Sequence, residues 1–222
     1  MYLPAMPRLE RVFATDAARV QWTLAAFFLG FALGQAFYGP VADRYGRKPS
    51  LYVGLVLYIG ASIGCALAPG IGLLTTFRFL EAIGACAGAV VARAVVSDLF
   101  TGQEAARLFT ALMVVMGLAP IVAPLIGGYL LLWFDWPVIF WVLAAFGVVC
   151  LLAVRLRLPE THRTESVRSL ALGSVVARYL MLLLDRRYLG YALSGAASMA
   201  GMFAYIAAVS YTHLRAHETG RN

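Results

Sequence analysis

At 222 residues, 62% of them hydrophobic and 13% charged, with a mean hydropathy of +0.80, the chain is too apolar for an ordinary soluble domain, where about a quarter of residues are charged. A formal charge of +7 would suit nucleic acid, but the basic residues fall in short links between apolar runs and form no continuous patch. The expected partners are therefore lipid headgroups and helix ends, not nucleic acid, and the class is an all-α, many-span membrane protein. Cys65, Cys86 and Cys150 lie within apolar segments; their spacing supports neither a disulfide framework nor a metal site and leaves them as small packing residues.

The chain opens on Met1–Met6, apolar but far too short to span, and continues through a polar stretch from Arg8 to Arg19; neither the basic start nor the longer apolar core of a signal peptide is present. A full span is predicted over Val20–Val41, about the 20 residues a helix needs to cross a bilayer. Within it Gly30 and Gly34 have the spacing that lets two helices approach closely, with Gln35 as a candidate interhelical hydrogen bonder. A charged turn is expected over Gly39–Leu51, holding Asp43, Arg44, Arg47 and Lys48, before the next span, Leu51–Ala68. Gly39 and Gly46 are expected to allow close approach or positive φ there, and Pro40 and Pro49 to punctuate the helix ends.

A basic loop alone is what any multi-span protein shows on its cytoplasmic side. The order of these charges is more specific. The pattern G-x-x-x-D-R-x-G-R-K-x-x-L resembles the loop signature between the second and third transmembrane helices of the major facilitator superfamily, and the flanking spans supply the context such a motif needs. The resemblance implies the helical bundle of that superfamily, truncated, with Gly39, Asp43, Arg44, Gly46, Arg47 and Lys48 as a gating motif. On the same footing MYLPAMP resembles the outer end of the first helix in drug exporters of the bicyclomycin and chloramphenicol resistance type. Met1 is then an internal methionine, most of helix 1 is missing, and an aspartate that precedes this segment in that subfamily is missing with it.

In the third span Gly60 and Gly64 repeat the close-approach spacing, and Pro69, Gly70 and Gly72 make a turn short enough to force the next helix antiparallel. The fourth span, about Leu73–Leu99, holds Arg78 and Glu81, three apart and so on one helical face. Each costs at least about 2.5 kcal/mol at mid-bilayer unless paired or hydrated, which makes both candidates for handling protons or substrate. The alternative is mutual neutralisation near the outer interface, with Arg78 snorkelling. RFLEAIGACAG resembles the superfamily's fourth-helix motif, linked there to proton coupling, with Glu81 where glutamine is more usual. Arg93 and Asp98 close this span; by resemblance, Asp98 pairs with Arg47.

A polar link, Thr101–Arg107, leads to a fifth span whose MGLAPIVAPLIGG, Met116–Gly128, places Pro120 and Pro124 inside a helix, each removing a backbone hydrogen bond and favouring a kink. Through Gly117, Pro120, Pro124, Gly127 and Gly128 it resembles the fifth-helix motif of the superfamily's antiporters, with Ala119 where glycine is usual; a bent helix with a glycine face is also a packing solution. Trp133 and Trp136 flank Asp135 as expected of interfacial aromatics, and a sixth span covers Pro137–Val154. The segment Arg155–Arg187 resembles the cytoplasmic linker between facilitator halves, and Leu170–Leu184 is apolar enough to lie along the membrane surface. A seventh span is expected over Leu189–Tyr211. The resemblance stops near Ala208, and the closing SYTHLRAHETGRN looks like translated adaptor sequence.

The expected organisation is a bundle over 1–155 (helix 1 truncated, helices 2–6), a linker over 156–187, helix 7 over 188–209 and a non-native tail over 210–222. Alternate links hold twelve lysines or arginines (three, two and seven) against three in the other set, which places the first set in the cytoplasm. The functional expectation is the amino-terminal half of a proton-coupled multidrug exporter of a bacterial inner membrane, with drug-like molecules, protons and lipid as partners. No cofactor is implied: there is no phosphate-binding glycine loop, and no nucleophile elbow, zinc helix or paired carboxylates suggest an enzyme. The competing readings are a facilitator for a sugar or metabolite and a non-transporting membrane interaction protein.

Overall fold

The computed structural model describes residues 1–158 and, further along, 179, 181–182, 184–198 and 200–201. Contacts divide the chain into two units, Met1–Arg168 and Ser169–Asn222. In the first, a 3-10 turn at Leu3–Ala5 leads into α1 (Met6–Val12), followed by α2 (Ala17–Tyr45), α3 (Arg47–Ala66), α4 (Ile71–Leu99), α5 (Gly102–Trp133) and α6 (Pro137–Arg157). The helices α2 to α6 are each long and apolar enough to cross a membrane. In the second unit residues 186–198 are helical, within the region expected to begin helix 7. Residues 210–222, expected from the sequence to be a tail, and most of the linker, including most of Leu170–Leu184, lie outside the described residues.

The helix ends follow local chemistry. Asp16, in extended conformation, caps α2 by accepting the Arg19 backbone N–H at 3.2 Å. At 29 residues α2 is about 44 Å long, more than the roughly 30 Å hydrocarbon core, so its charged last turns project into the headgroup layer while remaining helical. For that reason the expected charged turn Gly39–Leu51 is not a loop. It contracts to one residue, Gly46, whose φ of 98° suits glycine alone, and α3 begins at once with Arg47. Ser50 Oγ closes the corner by donating to the Gly46 carbonyl at 2.8 Å. Pro40 lies inside α2 rather than at its end, and Gly39 provides neither a positive φ nor a close approach, since a Cβ there meets nothing within 4 Å. Pro49 sits in the first turn of α3, where the N–H it lacks has no intrahelical acceptor to lose. The expected polar link before α5 is likewise helical from Gly102 onward, and α5 runs unbroken through Pro120 and Pro124.

The centre of the bundle is α4, packed on α2 and α3, with α6 packed on α3. Small residues set these distances. A Cβ on Gly34 would come 2.9 Å from the Cys86 Cβ across the α2–α4 contact, and one on Gly84 would come 2.5 Å from the backbone nitrogen of Tyr58 across the α3–α4 contact. The α3 partner at that seam is Gly54, against Ala87, rather than Gly60, which faces open space. Six residues separate Gly54 from Gly60, which puts them about 120° apart around the helix. Gly64 packs under the Phe77 ring, whereas Gly88 contacts nothing across its helix.

At the opposite end from Gly46, Tyr2, Leu9, Val20, Leu74, Ile139 and Phe140 form the main buried cluster. Trp133 is exposed, but Trp136 joins this core, its ring 5.5 Å from Phe13 and 6.1 Å from Phe140. Arg8 of α1 ties the same end together by donating to the Leu131 and Phe134 carbonyls, at 2.6 and 3.1 Å, where the last turn of α5 leaves acceptors free.

Candidate functional site

One charge cluster lies at the Gly46 end of this bundle and a second in its interior, toward the other end. At the Gly46 corner, Arg47 is placed by the turn to reach two helix ends at once. Its Nη1 donates to Asp43 Oδ1 at 2.6 Å, one turn back on α2, and its Nε donates to Asp98 Oδ2 at 2.8 Å, at the end of α4. The arginine side chain is 10% exposed against 62% for Asp43 and 28% for Asp98, so the Asp98 contact is the better shielded from water and salt. Lys48 Nζ reaches the Arg155 carbonyl at 3.4 Å near the end of α6, where a cation complements the helix dipole. Four helix ends thus meet on two neighbouring basic residues. Arg44 points outward, its guanidinium 5.4 Å from the Tyr45 ring centroid.

The second cluster lies inside the bundle, about 10 Å along α4 from its start. Arg78 and Glu81 are 5% and 0% exposed, and Arg78 Nη1 donates to Glu81 Oε2 at 2.6 Å. The other carboxylate oxygen, Oε1, accepts from Ser62 Oγ of α3 at 2.8 Å. The guanidinium carbon sits 4.1 Å from the Phe27 ring of α2, 4.5 Å from that of Tyr2 and 5.9 Å from that of Phe140 of α6. The Tyr2 hydroxyl bonds Thr23 Oγ1, which in turn donates to the Val20 carbonyl. Arg78 Nε is buried with no hydrogen-bond partner. Snorkelling to the outer interface is therefore not the arrangement adopted: the two charges neutralise each other in the interior, among residues from α2, α3, α6 and the amino-terminal turn.

The fifth-helix set is not brought to this pair. Within it only Gly127 makes a close approach, packing on the Met1 backbone, while Gly117 and Gly128 have nothing within 4 Å. Gln35 is exposed rather than placed between helices. Ser62, Phe27, Phe140 and Tyr2 escaped the sequence reading. Ser62 carried a usable signal, a polar side chain inside an apolar span; the aromatic residues carried none, because a ring facing a cation and a ring facing lipid look alike in a sequence. Among the described residues no group of three metal-ligating side chains comes together.

The sequence model of the Major Facilitator Superfamily matches residues 1–219. The chain belongs to that superfamily. It is accordingly a multi-pass membrane protein of a transporter family. It is 39% identical over 215 residues to an uncharacterized MFS-type transporter, YdgK, of Bacillus subtilis, covering 96% of this chain and 54% of that protein. It is 33% identical over 216 residues to a bicyclomycin resistance protein homolog of Haemophilus influenzae, covering 96% and 54%. To a chloramphenicol resistance protein of Pseudomonas aeruginosa it is 33% identical over 210 residues, covering 92% and 48%. The chain thus spans about half the length of these relatives. A crystal structure of the peptide transporter POT with sulfate superposes with a TM-score of 0.60 at 18% identity, covering 83% of this chain and 43% of that one, a likeness of fold.

Proposed function

We propose that this facilitator chain is the amino-terminal part of a drug:proton antiporter that exports small drug-like molecules across a bacterial inner membrane. The observation that carries the reading is the buried Arg78–Glu81 pair: even when paired, ionisable residues at membrane depth are costly and rare, and where they occur they mark the path of an ion or substrate. The names of the bicyclomycin and chloramphenicol resistance relatives support drug-like substrates.

The Arg47–Asp43–Asp98 cluster would hold the helix ends together on the cytoplasmic side while the site faces outward, and its release would accompany rocking of the two halves about a central site. The fifth-helix motif, Gly117 to Gly128, would belong to the antiporter architecture, with Gly127 letting that helix lie against the amino-terminal turn. The excess of lysine and arginine at the Gly46 end supports its cytoplasmic placement. The driving force is the proton gradient, worth about 2.3 kcal/mol per charge per 100 mV.

The test is efflux from everted membrane vesicles containing the full-length parent. Drug accumulation driven by an imposed pH gradient, abolished by a protonophore and lost in Glu81→Gln, is the expected result. Accumulation that ignores the protonophore, or sugar or metabolite movement in place of drug movement, would overturn it.

A further inference from the structure

Glu81 is the one carboxylate buried at membrane depth among the described residues, and both of its oxygens are engaged, Oε2 by Arg78 and Oε1 by Ser62. A purely structural ion pair and a pair built to exchange a proton differ in what happens when the carboxylate is neutralised. In the first case the buried cation is stranded. Here it is not, because three aromatic faces surround the Arg78 guanidinium, the two nearer ones at 4.1 and 4.5 Å. Rings rather than a full set of acceptors hold it in place, since Nε has no hydrogen-bond partner even with Glu81 ionised. Ser62 suits both states as well: its hydroxyl donates to the carboxylate and can turn to accept from the protonated acid.

We propose, resting on the antiport reading above, that Glu81 is the group that takes up and releases the proton and that Ser62 is the positioning residue that sets its proton affinity from the neighbouring helix. A proton from water adds to a Glu81 oxygen, the acid becomes neutral, the Ser62 hydroxyl reverses, and Arg78 keeps its charge against the rings of Tyr2, Phe27 and Phe140. Release returns the same proton and restores the ion pair.

Among the described residues, four other titratable groups face this pair. From α3 these are Tyr58, which neighbours Ser62, and Cys65; from the amino-terminal turn, Tyr2 and, toward Arg78, the Met1 amino group. Phe27 on α2 and Phe140 on α6 do not titrate, and Cys150 on α6 stands beside Tyr58 rather than Glu81.

The experiment is an infrared pH titration of the protonated carboxyl stretch in the 222-residue chain in lipid nanodiscs, with Glu81→Gln identifying the band by its disappearance. Ser62→Ala removes a donor to the ionised form and should raise the midpoint by about one pH unit, a tenfold gain in proton affinity. Ser62→Thr, which keeps the hydroxyl, should return the midpoint toward the wild-type value. Phe27→Leu, which weakens the support for an unpaired Arg78, should lower it. A midpoint unmoved by Ser62→Ala, equal shifts in Ser62→Ala and Ser62→Thr, no shift in Phe27→Leu, or a band that survives Glu81→Gln would each overturn the proposal. Loss of proton-driven efflux in the parent with these shifts intact would instead overturn the antiport reading and leave the proton site standing.

Discussion

Arg47 shows how one side chain can hold several elements when its partners differ in burial. Asp98 is the less exposed of its two carboxylates and so lies in the lower dielectric, where a charge-assisted bond is worth more. Asp98→Asn should therefore lower stability by about 1–3 kcal/mol, whereas Asp43→Asn, whose side chain is largely in water, should lower it by less than about 1 kcal/mol. Thermal melts of the two variants in detergent check the order; equal melting points would mean that burial does not rank these contacts. In the full-length parent both changes, and Arg47→Ala, are expected to reduce efflux while leaving membrane insertion intact, because the cluster joins helix ends rather than forming the helices. The charged residues of both clusters were legible in the sequence, since an acid or base next to or within an apolar span stands out. What surrounds them was not: Ser62 and Phe27 reach Glu81 and Arg78 from α3 and α2, and a single chain without coordinates does not say which helices are neighbours.

At the scale of elements, the spans themselves were readable from apolar runs, and the errors fell at their ends. Charge in the sequence suggests a loop at Gly39–Leu51 and Thr101–Arg107, yet Asp43, Arg44, Glu104 and Arg107 are compatible with helix, and a helix that outruns the hydrocarbon core carries its charges into the headgroups. The glycine seams were half readable for a related reason. Spacing of four marks a face but not whether another helix lies on it: Gly30, Gly34 and Gly64 meet a neighbouring helix, while Gly60 faces open space. A contrast follows. Gly84→Ala would drive a methyl group into the Tyr58 backbone, which cannot give as a flexible side chain can, and should cost about 1–3 kcal/mol. Gly60→Ala and Gly88→Ala meet no such obstacle and should be neutral or stabilise by up to about 1 kcal/mol through helix propensity. Destabilisation of equal size at all three positions, read as melting temperature, would show that the α3–α4 seam is not where the structure puts it.

For the whole molecule, the decisive fact is that the chain spans about half the length of its curated relatives, while facilitator sites form between two halves near the membrane midplane. In this chain Arg78 and Glu81 close on each other and on their aromatic neighbours, leaving little of either side chain open to water. The long α5 keeps a broad apolar surface exposed, Val115, Ile121, Leu125 and Tyr129 among it, which lipid or a second protein surface must cover. The 222-residue chain is therefore expected to insert as a bundle and not to transport. Two copies meeting through α5 could in principle enclose a path, so the test must register transport rather than assembly. With the purified chain in liposomes under an imposed pH gradient, a panel of cationic and neutral drugs should move no faster than in empty liposomes, whatever oligomer crosslinking reveals. Gradient-driven movement above that background, absent in Glu81→Gln, would show that one half suffices and that its buried pair opens without the other.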